Sequence, residues 1–396
     1  MQLFITVGLM TLFSCLLFAN ATPPEGIYAP KCRVGEGLYD PAQAAVVPWL
    51  TVDLDLPPEL RYREIYGPFG AGMKEVIDTI KMMGTIVTGD FLIPLIEHLM
   101  QYAHDELFPS KYAKEIDGIA ESTGLSVADL AMMNIYYELS RFCTSIVAEN
   151  TNGQVFHARN LDFGQLFVWD IAKKSWHLTE ALKKITVNLN FVKDGKVIFK
   201  GTTFAGHLGI ITGMKMDQFT LSMNAKVKPD IGNVIKWLTG GYNGTDIHFG
   251  MWAEREVMEK ANTFQEAKEF LSDIVQLAGC YYILGGKNHN EGVIIVRNET
   301  DVLDYVEMNT ESGKWYVLQT NYDPDQEPLF IDDRRTPGNK CMMTLGQSNV
   351  SASGIYEVLS SKTTLNKTTA HTVIMSIATG LYETFIQNCP DPCWFL

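Results

Sequence analysis

The hydrophobic pattern of this chain changes its period at Cys143. Between Pro57 and Tyr137 the apolar residues recur at intervals of three and four, the spacing of one face of a helix. From Cys143 onward two β-rich runs flank the turn dipeptide Asn152-Gly153, which is a strong hairpin signal. The sequence therefore predicts a mostly helical first third and a β-hairpin that begins at the cysteine.

Strand candidates outnumber helix candidates beyond this hairpin. The strands are predicted at Ile185–Val192, Lys196–Thr203, Leu208–Thr212, Phe219–Met223, Tyr281–Leu284, Gly292–Arg297 and Trp315–Gln319, and the helices near Ile247–Lys260 and Thr263–Leu271. Two antiparallel sheets covered by helices would bury these strands on their inner faces. We therefore expect an α+β fold.

The first residues have the pattern of a secretion signal. An apolar run from Leu3 to Phe18 is too short to span a bilayer comfortably, and it ends in Ala19-Asn20-Ala21, the small-x-small pattern of a cleavage site. We expect residues 1–21 to be removed as a signal peptide, and a retained anchor is the alternative. The later apolar segment from Val76 to Met100 is interrupted by charged residues and a proline, which favours amphipathic helices over a membrane span.

Export allows disulfides and glycans to form. Cys389 and Cys393 flank a tight Pro-Asp-Pro turn and are expected to bridge, since the alternative, a metal site, would need further ligands at short spacing. Glycan acceptor sequons begin at Asn243, Asn298, Asn349 and Asn366. The sequence therefore predicts an exported glycoprotein with at least one disulfide.

Charge and missing motifs exclude several classes of protein. A formal net charge of -14 would repel phosphate backbones, and no cluster of Lys and Arg of the nucleic-acid-binding kind occurs. The sequence lacks G-x-S-x-G, H-E-x-x-H, a phosphate-binding loop and a dinucleotide fingerprint. The histidines form no metal pair, and a lone one such as His157 is expected to be an ordinary core or surface residue. We expect no nucleic acid, no cofactor and no metal.

Cys143 is the candidate nucleophile. One interpretation is a buried structural cysteine. Its place at the start of a strand favours another, because cleavage of the preceding peptide bond would present its thiol and its own α-amino group together. An α-amino group titrates near pH ~8, so its neutral form accepts the thiol proton and later passes it to a leaving amine. Such a nucleophile needs no separate histidine.

Motifs throughout the chain resemble those of the acid ceramidase family. They are Cys143–Glu149, His157–Gly164, Phe204–Gly206, Thr320–Asp323, Asp332–Pro337 and Cys389–Cys393, and Val47–Pro57 resembles the start of the family's mature chain. The similarity runs nearly from end to end. It implies an N-terminal nucleophile hydrolase with an αββα sandwich, whose nearest relatives hydrolyse N-acylethanolamines and conjugated bile acids.

The resemblance also implies how the chain is processed. Cys143 would be the nucleophile, exposed by autocatalytic cleavage of the Phe142–Cys143 bond. The precursor would become a helical α subunit, residues 22–142, and a β subunit, residues 143–396, that holds the catalytic core.

Four further residues match the active site of the family. Arg159 and Asp162 match paired charged residues that position the cysteine and its amine, and their alternative is a surface ion bridge. Asn321 matches the oxyanion donor, and its alternative is a turn residue. Arg334 matches a further active-site arginine, and its alternative is an ion pair with a neighbouring aspartate.

Ala225 and Cys280 depart from the family pattern, whereas the pair Cys32 and Cys341 follows it. Ala225 stands where the family usually has an acidic residue, which puts catalytic efficiency or substrate preference in doubt. Cys32 and Cys341 match the pair that links the α and β subunits by a disulfide, whereas Cys280 has no counterpart and is expected to be a buried thiol outside any disulfide.

The substrate implied by the resemblance is ceramide, hydrolysed to sphingosine and a fatty acid in the lysosome and in secreted form. A saposin-like activator and a membrane surface are implied partners. The apolar helices around Met82-Met83 and Phe91–Ile93 would build a lipid groove or touch the membrane, and core packing is the alternative.

The first rival function is an amidase for N-acylethanolamines, and assaying both substrates would separate the two. A catalytically weak lipid-binding protein is the second rival, and it predicts binding without turnover and a gain of activity in Ala225→Glu.

Overall fold

The computed structural model describes residues 30–89, 92–139, 142–163, 168–226, 231–242 and 246–394. The expected signal peptide and the sequon at Asn243 lie outside the described residues. Up to Leu139, the N-terminal region, the chain is mostly helical, as predicted. Its elements are β1 (Trp49–Asp53), α1 (Pro58–Arg61), α2 (Arg63–Tyr66), α3 (Gly70–Thr88), α4 (Ile93–Tyr102), a π-helical turn (Ala103–Leu107), α5 (Ser110–Thr123) and α6 (Val127–Leu139).

The apolar segment of the N-terminal region forms two helices, α3 and α4, as the sequence predicts. Pro94 stands in the first turn of α4, where its missing N–H would have had no partner within the helix. Among the described residues, no helix has the length and apolar character needed to cross a bilayer.

Beyond Leu139 strands dominate, and we call residues 142–394 the C-terminal region. Its strands are β2 (Phe142–Glu149), β3 (Val155–Asp162), β4 (Trp169–Asp170), β5 (Ser175–Trp176), β6 (Thr186–Lys193), β7 (Lys196–Phe204), β8 (Thr212–Lys215), β9 (Phe219–Ala225), β10 (Ile247–His248), β11 (Val275–Gln276), β12 (Cys280–Gly286), β13 (Gly292–Arg297), β14 (Val302–Glu307), β15 (Tyr316–Gln319), β16 (Thr369–Ser376) and β17 (Leu381–Ile386). Its helices are α7 (His177–Lys184), α8 (Ile231–Leu238), α9 (Gly250–Lys260), α10 (Phe264–Asp273), α11 (Arg335–Leu345) and α12 (Ala352–Leu359).

Two large sheets face each other in the middle of the fold. One has eight strands in the order β1-β6-β7-β8-β9-β12-β13-β14, and the other has five in the order β15-β2-β3-β16-β17. Helices α9 and α10 pack on the outer side of the first sheet, and α11 and α12 pack on the second. The fold is therefore α+β, an αββα sandwich, as expected from the sequence.

The hairpin of β2 and β3 lies in the centre of the five-stranded sheet. Its turn is built as the Asn152-Gly153 signal predicts, with Gly153 at a φ of 78° and the Asn150 side chain accepting the N–H groups of Asn152 and Gln154. In the resulting register Cys143 lies opposite Leu161. Side chains alternate along a strand, so this register decides which residues share the inner face with Cys143.

Two predictions about the strands are wrong. The run Leu208–Thr212 was expected to be a strand, but β8 begins only at Thr212. The carbonyl of Leu208 instead accepts hydrogen bonds from Tyr62 Oη at 3.3 Å and Arg255 Nη1 at 2.9 Å, so side chains replace a strand ladder there. The eight-stranded sheet is also not purely antiparallel, because β1 joins its edge parallel to β6.

A buried ion cluster joins the N-terminal and C-terminal regions. Glu115 on α5 accepts two hydrogen bonds from Arg255 on α9, at 2.6 and 2.8 Å, and both side chains are fully buried. Arg61 binds the same carboxylate at 3.0 Å, and Glu259 binds Arg255 Nε at 2.8 Å. Buried charges are stable only when they are paired in this way, so the cluster fixes how the two regions pack.

The cysteines of the described residues form one disulfide and a set of thiols. Cys389 and Cys393 are bridged, as predicted. Cys32 and Cys341 are thiols here, so the disulfide implied by the resemblance is not formed in this structure. Cys32 packs against the apolar cluster that contains Cys341. Burial and the neighbouring Cys32 thiol raise the pKa of Cys341 to about 12. Cys280 is a buried thiol, as expected.

Candidate active site

Cys143 lies at the start of β2, on the face that points between the two sheets. Arg159, two residues from its cross-strand neighbour Leu161, shares this face. Its Nη2 lies 2.6 Å from Cys143 Sγ and 2.9 Å from the Met223 carbonyl, while Nη1 donates to the Ile211 carbonyl at 2.6 Å. A guanidinium held in place beside the sulfur favours the thiolate, the nucleophilic form of cysteine.

The backbone of Cys143 is also held by side chains. Its N–H donates to Asn321 Oδ1 at 2.9 Å, and its carbonyl accepts from Arg334 Nη1 at 2.5 Å. Arg334 Nη2 donates to the same Asn321 oxygen at 2.7 Å. Asn321 lies two residues beyond the end of β15, the neighbour of β2, and this sheet pairing brings it to the cysteine.

Asp162 ends β3 and is fully buried. Its carboxylate lies 3.2 Å from Arg334 Nη1 and accepts the Thr369 hydroxyl at 2.6 Å. Burial raises the pKa of Asp162 to about 6, although the Arg334 guanidinium opposes this shift. Arg334 binds a second carboxylate, Asp332, at 2.9 Å, and these two acids raise its pKa above the ordinary arginine value.

The structure brings the predicted site residues together, namely Cys143, Arg159, Asp162, Asn321 and Arg334. Two details were not predicted. Asp162 forms an ion pair with Arg334, whereas Arg159, three residues earlier on β3, points to the opposite face. Thr369 was missed altogether, since a single threonine on a distant strand carries no sequence signal.

The position that departs from the family pattern touches the site through its backbone. Asn321 Nδ2 donates to the carbonyl of Ala225 at 2.7 Å. Ala225 ends β9, where it pairs with Cys280. The missing acidic side chain thus leaves this backbone contact in place.

Helix α6 holds the loop between β7 and β8. Asn134 donates from Nδ2 to the Gly206 carbonyl at 2.9 Å and accepts the Leu208 N–H at 3.1 Å. Cys143 itself is completely buried, so solvent does not reach the sulfur. The sulfur is therefore ordered and enclosed at the same time.

Comparisons with known proteins identify the class to which this fold and site belong. Residues 143–388 match the family model of linear amide C-N hydrolases, choloylglycine hydrolase family, and residues 46–120 match that of the beta subunit of N-acylethanolamine-hydrolyzing acid amidase. The solved structure of the Caenorhabditis elegans N-acylethanolamine-hydrolyzing acid amidase ortholog is 30% identical, with a TM-score of 0.53, and covers 62% of this chain and 100% of its own. The protein is an amidohydrolase of the N-terminal nucleophile class.

Similarity over whole chains narrows this class. The probable acid ceramidase of Caenorhabditis elegans is 50% identical over 93% of this chain and 92% of its own. Human acid ceramidase is 36% identical over 96% of this chain and 95% of its own. The chain belongs to the acid ceramidase family, and it is a lipid amidase.

The buried carboxyl of Asp162 predicts a pH dependence of stability. The folded protein binds its proton more tightly than the unfolded chain does, because its pKa rises from 3.8 to about 6. Protonated Asp162 therefore adds to the free energy of unfolding below about pH 4. This contribution, on the order of 3 kcal/mol, is lost as the pH rises through about 6.

This dependence is measured by urea unfolding at pH 4 to 7 in a Cys143→Ala background. Asp162→Asn is expected to remove the loss, whereas Asp194→Asn, at an exposed aspartate, should keep it. An unchanged pH profile in Asp162→Asn would show that this carboxyl titrates normally.

Proposed function

We propose that the protein hydrolyses the amide bond of ceramide with Cys143 as an N-terminal nucleophile, after cutting its own chain between Phe142 and Cys143. One observation carries this proposal: the thiol and the backbone nitrogen of the same buried residue are both held by polar groups, Arg159 for the sulfur and Asn321 for the nitrogen. That nitrogen becomes the α-amino group on cleavage.

The same residues support the self-cleavage step. Cys143 Sγ attacks the carbonyl carbon of Phe142, and the C–N bond breaks as the S–C bond forms. The released nitrogen takes the thiol proton and becomes the amine of Cys143. Water then hydrolyses the thioester, which frees the new carboxylate and returns the thiol.

In ceramide hydrolysis the thiolate attacks the amide carbonyl and the α-amino group protonates the departing sphingosine amine. Asn321 would donate to the oxyanion. Its amide nitrogen carries two N–H groups, so one can remain on the Ala225 carbonyl while the other reaches the substrate. Water releases the fatty acid from the thioester.

The surroundings of Cys143 suit a lipid. The cysteine belongs to a large apolar cluster that also contains Leu161, Phe163, Phe204 and Met133. Apolar walls with a few placed polar groups are typical of small-molecule sites. Met82, on the N-terminal region, is 40% exposed, which supports contact with a membrane, whereas Met83 is buried in the core.

The family also suggests where and with what the enzyme works. We propose an α subunit of residues 22–142 and a β subunit of residues 143–396, in the lysosome and in secreted form, with a saposin-like activator. The proximity of the Cys32 and Cys341 thiols supports a disulfide between the subunits once the protein is oxidised. A cut enzyme that separates into two chains on a non-reducing gel would contradict that link.

An N-acylethanolamine is the second candidate substrate. It is favoured by the match of residues 46–120 to the acid amidase family model and by the TM-score of 0.53 to the acid amidase ortholog. The cut protein should be assayed at acidic pH with ceramide and with an N-acylethanolamine of the same acyl chain. A higher kcat/KM for the N-acylethanolamine would reverse the assignment, and binding of both without turnover would support the lipid-binding alternative.

Substitution of Asn321 tests the oxyanion role. Asn321→Ala is expected to lower kcat by about 100- to 1,000-fold with a smaller change in KM, because the lost N–H acts on the transition state. Asn262→Ala, at an exposed asparagine, is the control and should leave kcat unchanged. The rates are measured on cut enzyme quantified by its new N-terminus, and a kcat within threefold of wild type would exclude the role.

A further inference from the structure

A chain of buried polar side chains runs between the two sheets beside the site. His157 Nδ1 lies 2.9 Å from Thr220 Oγ1, and its Nε2 lies 2.9 Å from Ser222 Oγ. Ser222 Oγ lies 3.0 Å from Ser145 Oγ, which lies 2.8 Å from Asn224 Oδ1. All five side chains are at most 2% exposed. We call this set the interlayer chain.

The far end of the interlayer chain sets its direction. Asn224 Nδ2 donates to the carbonyls of Gln319 and Thr320, at 2.8 and 3.2 Å, so its Oδ1 faces Ser145 and can only accept. Ser145 therefore donates its single proton to Asn224. It must accept from Ser222, and Ser222 must in turn accept from His157 Nε2.

The near end decides the protonation of His157. A neutral ring with its proton on Nε2 accepts at Nδ1 from the Thr220 hydroxyl, and every link of the chain then has one proton. A charged ring would need Thr220 to donate to the Gly285 carbonyl instead, at 3.0 Å. Burial and the charge of Arg159 lower the pKa of His157 to about 3, which agrees with the neutral ring.

The interlayer chain touches the site from two sides. Ser145 lies two residues after Cys143 on the same face of β2. Asn224 holds the carbonyls of the two residues before Asn321, and Asn321 returns a hydrogen bond to Ala225, the residue after Asn224. Donors that all point the same way strengthen one another in a low-dielectric interior.

We propose that the interlayer chain, headed by neutral His157, positions Asn321 for its role at the reacting carbonyl. His157, Ser222, Ser145 and Asn224 are thus positioning residues that act through Asn321. The inference rests on the proposed function, since it assigns a purpose to a group that the reaction uses. It also gives His157 a role that the sequence did not indicate.

Matched substitutions at Ser222 test the interlayer chain. Ser222→Val removes the hydroxyl and Ser222→Thr keeps it, with side chains of nearly the same shape. Ser222→Val is expected to lower kcat by about 10- to 100-fold with KM within twofold, the effect of a slightly misplaced catalytic group, and Ser222→Thr should stay near wild type. Equal kcat in the two variants would overturn the proposal.

A second pair tests the assigned proton. In His157→Gln the side-chain amide can donate toward Ser222 and accept from Thr220, as the neutral ring does, whereas His157→Leu can do neither. His157→Gln should therefore keep kcat within about threefold and His157→Leu should lose it as Ser222→Val does. If both variants lose activity equally, the assignment of a neutral His157 that donates from Nε2 is wrong.

Two readouts separate positioning from a merely structural role. In an Asn321→Ala background, Ser222→Val should lower kcat by less than a further threefold, because the interlayer chain acts through Asn321. The same loss of kcat in both backgrounds would refute this role.

Amide hydrogen exchange over residues 316–323 should be faster in Ser222→Val than in Ser222→Thr. Equal exchange in the two variants would also refute the positioning role. Hydrogen exchange can be measured without turnover. If the wild-type enzyme has no activity, the proposed function fails, but exchange still tests the interlayer chain.

Discussion

A Cys143→Ala variant is expected to remain one uncut chain and to hydrolyse no lipid amide. Removal of a covalent nucleophile typically lowers kcat by at least about 10,000-fold. The measurement is the mass and N-terminal sequence of the acid-incubated protein, followed by an amidase assay. Wild type should yield a chain that begins Cys143-Thr144-Ser145, and the variant should not.

Cys280→Ala is the matched control, because Cys280 is also a buried thiol on a central strand, and its sulfur lies 3.3 Å from Gln276 Nε2. This variant should cut itself and turn over substrate like wild type. Self-cleavage in Cys143→Ala would assign the cut to another nucleophile, and an uncut wild-type chain would remove the basis of the mechanism.

Glu115→Ala is expected to destabilise the folded protein by about 3 to 5 kcal/mol. The substitution leaves the guanidinium of Arg255 buried without its main partner, and an uncompensated buried charge is costly. The free energy of unfolding is measured by urea denaturation of the uncut Cys143→Ala protein, so that both regions remain in one chain.

Glu121 offers a control on the same helix. It pairs with Arg63, but its side chain is 61% exposed, and Glu121→Ala should cost less than about 1 kcal/mol. Similar losses in the two variants would mean that burial of the Glu115 pair contributes nothing.

Local features of the fold were predictable from sequence because local chemistry determines them. The Asn152-Gly153 turn fixes the β2–β3 hairpin, and Thr263 caps α10 by accepting the Glu266 N–H at 3.0 Å. The Leu208–Thr212 run was wrongly predicted to be a strand, because a buried loop and a buried strand have the same apolar composition. The parallel pairing of β1 with β6 joins segments more than a hundred residues apart, and no local pattern encodes it.

Cys143 could be proposed from its place at the start of a strand, but the other residues of the candidate site could be proposed only through family resemblance. Asn321 lies 178 positions from Cys143, and nothing in its own neighbourhood distinguishes it from an ordinary turn residue. His157 was not predicted to have a role, since a lone histidine is usually an ordinary core or surface residue. Its two hydroxyl partners come from β9, across the gap between the sheets. Such partners become visible only once the sheets are packed.

Strand β1 has a consequence for the durability of the enzyme if it is cut as proposed. It fills the edge of the eight-stranded sheet, although it belongs to the segment before Cys143. In the intact chain a covalent tether gives this donated strand a high effective concentration at the edge. After the proposed cut only the proposed Cys32–Cys341 disulfide would tether the segment, and without that disulfide its departure would leave β6 as an exposed edge that pairs readily with other chains. Denaturation of the mature enzyme would then end in aggregation, and its half-life would depend on the rate of opening rather than on an equilibrium.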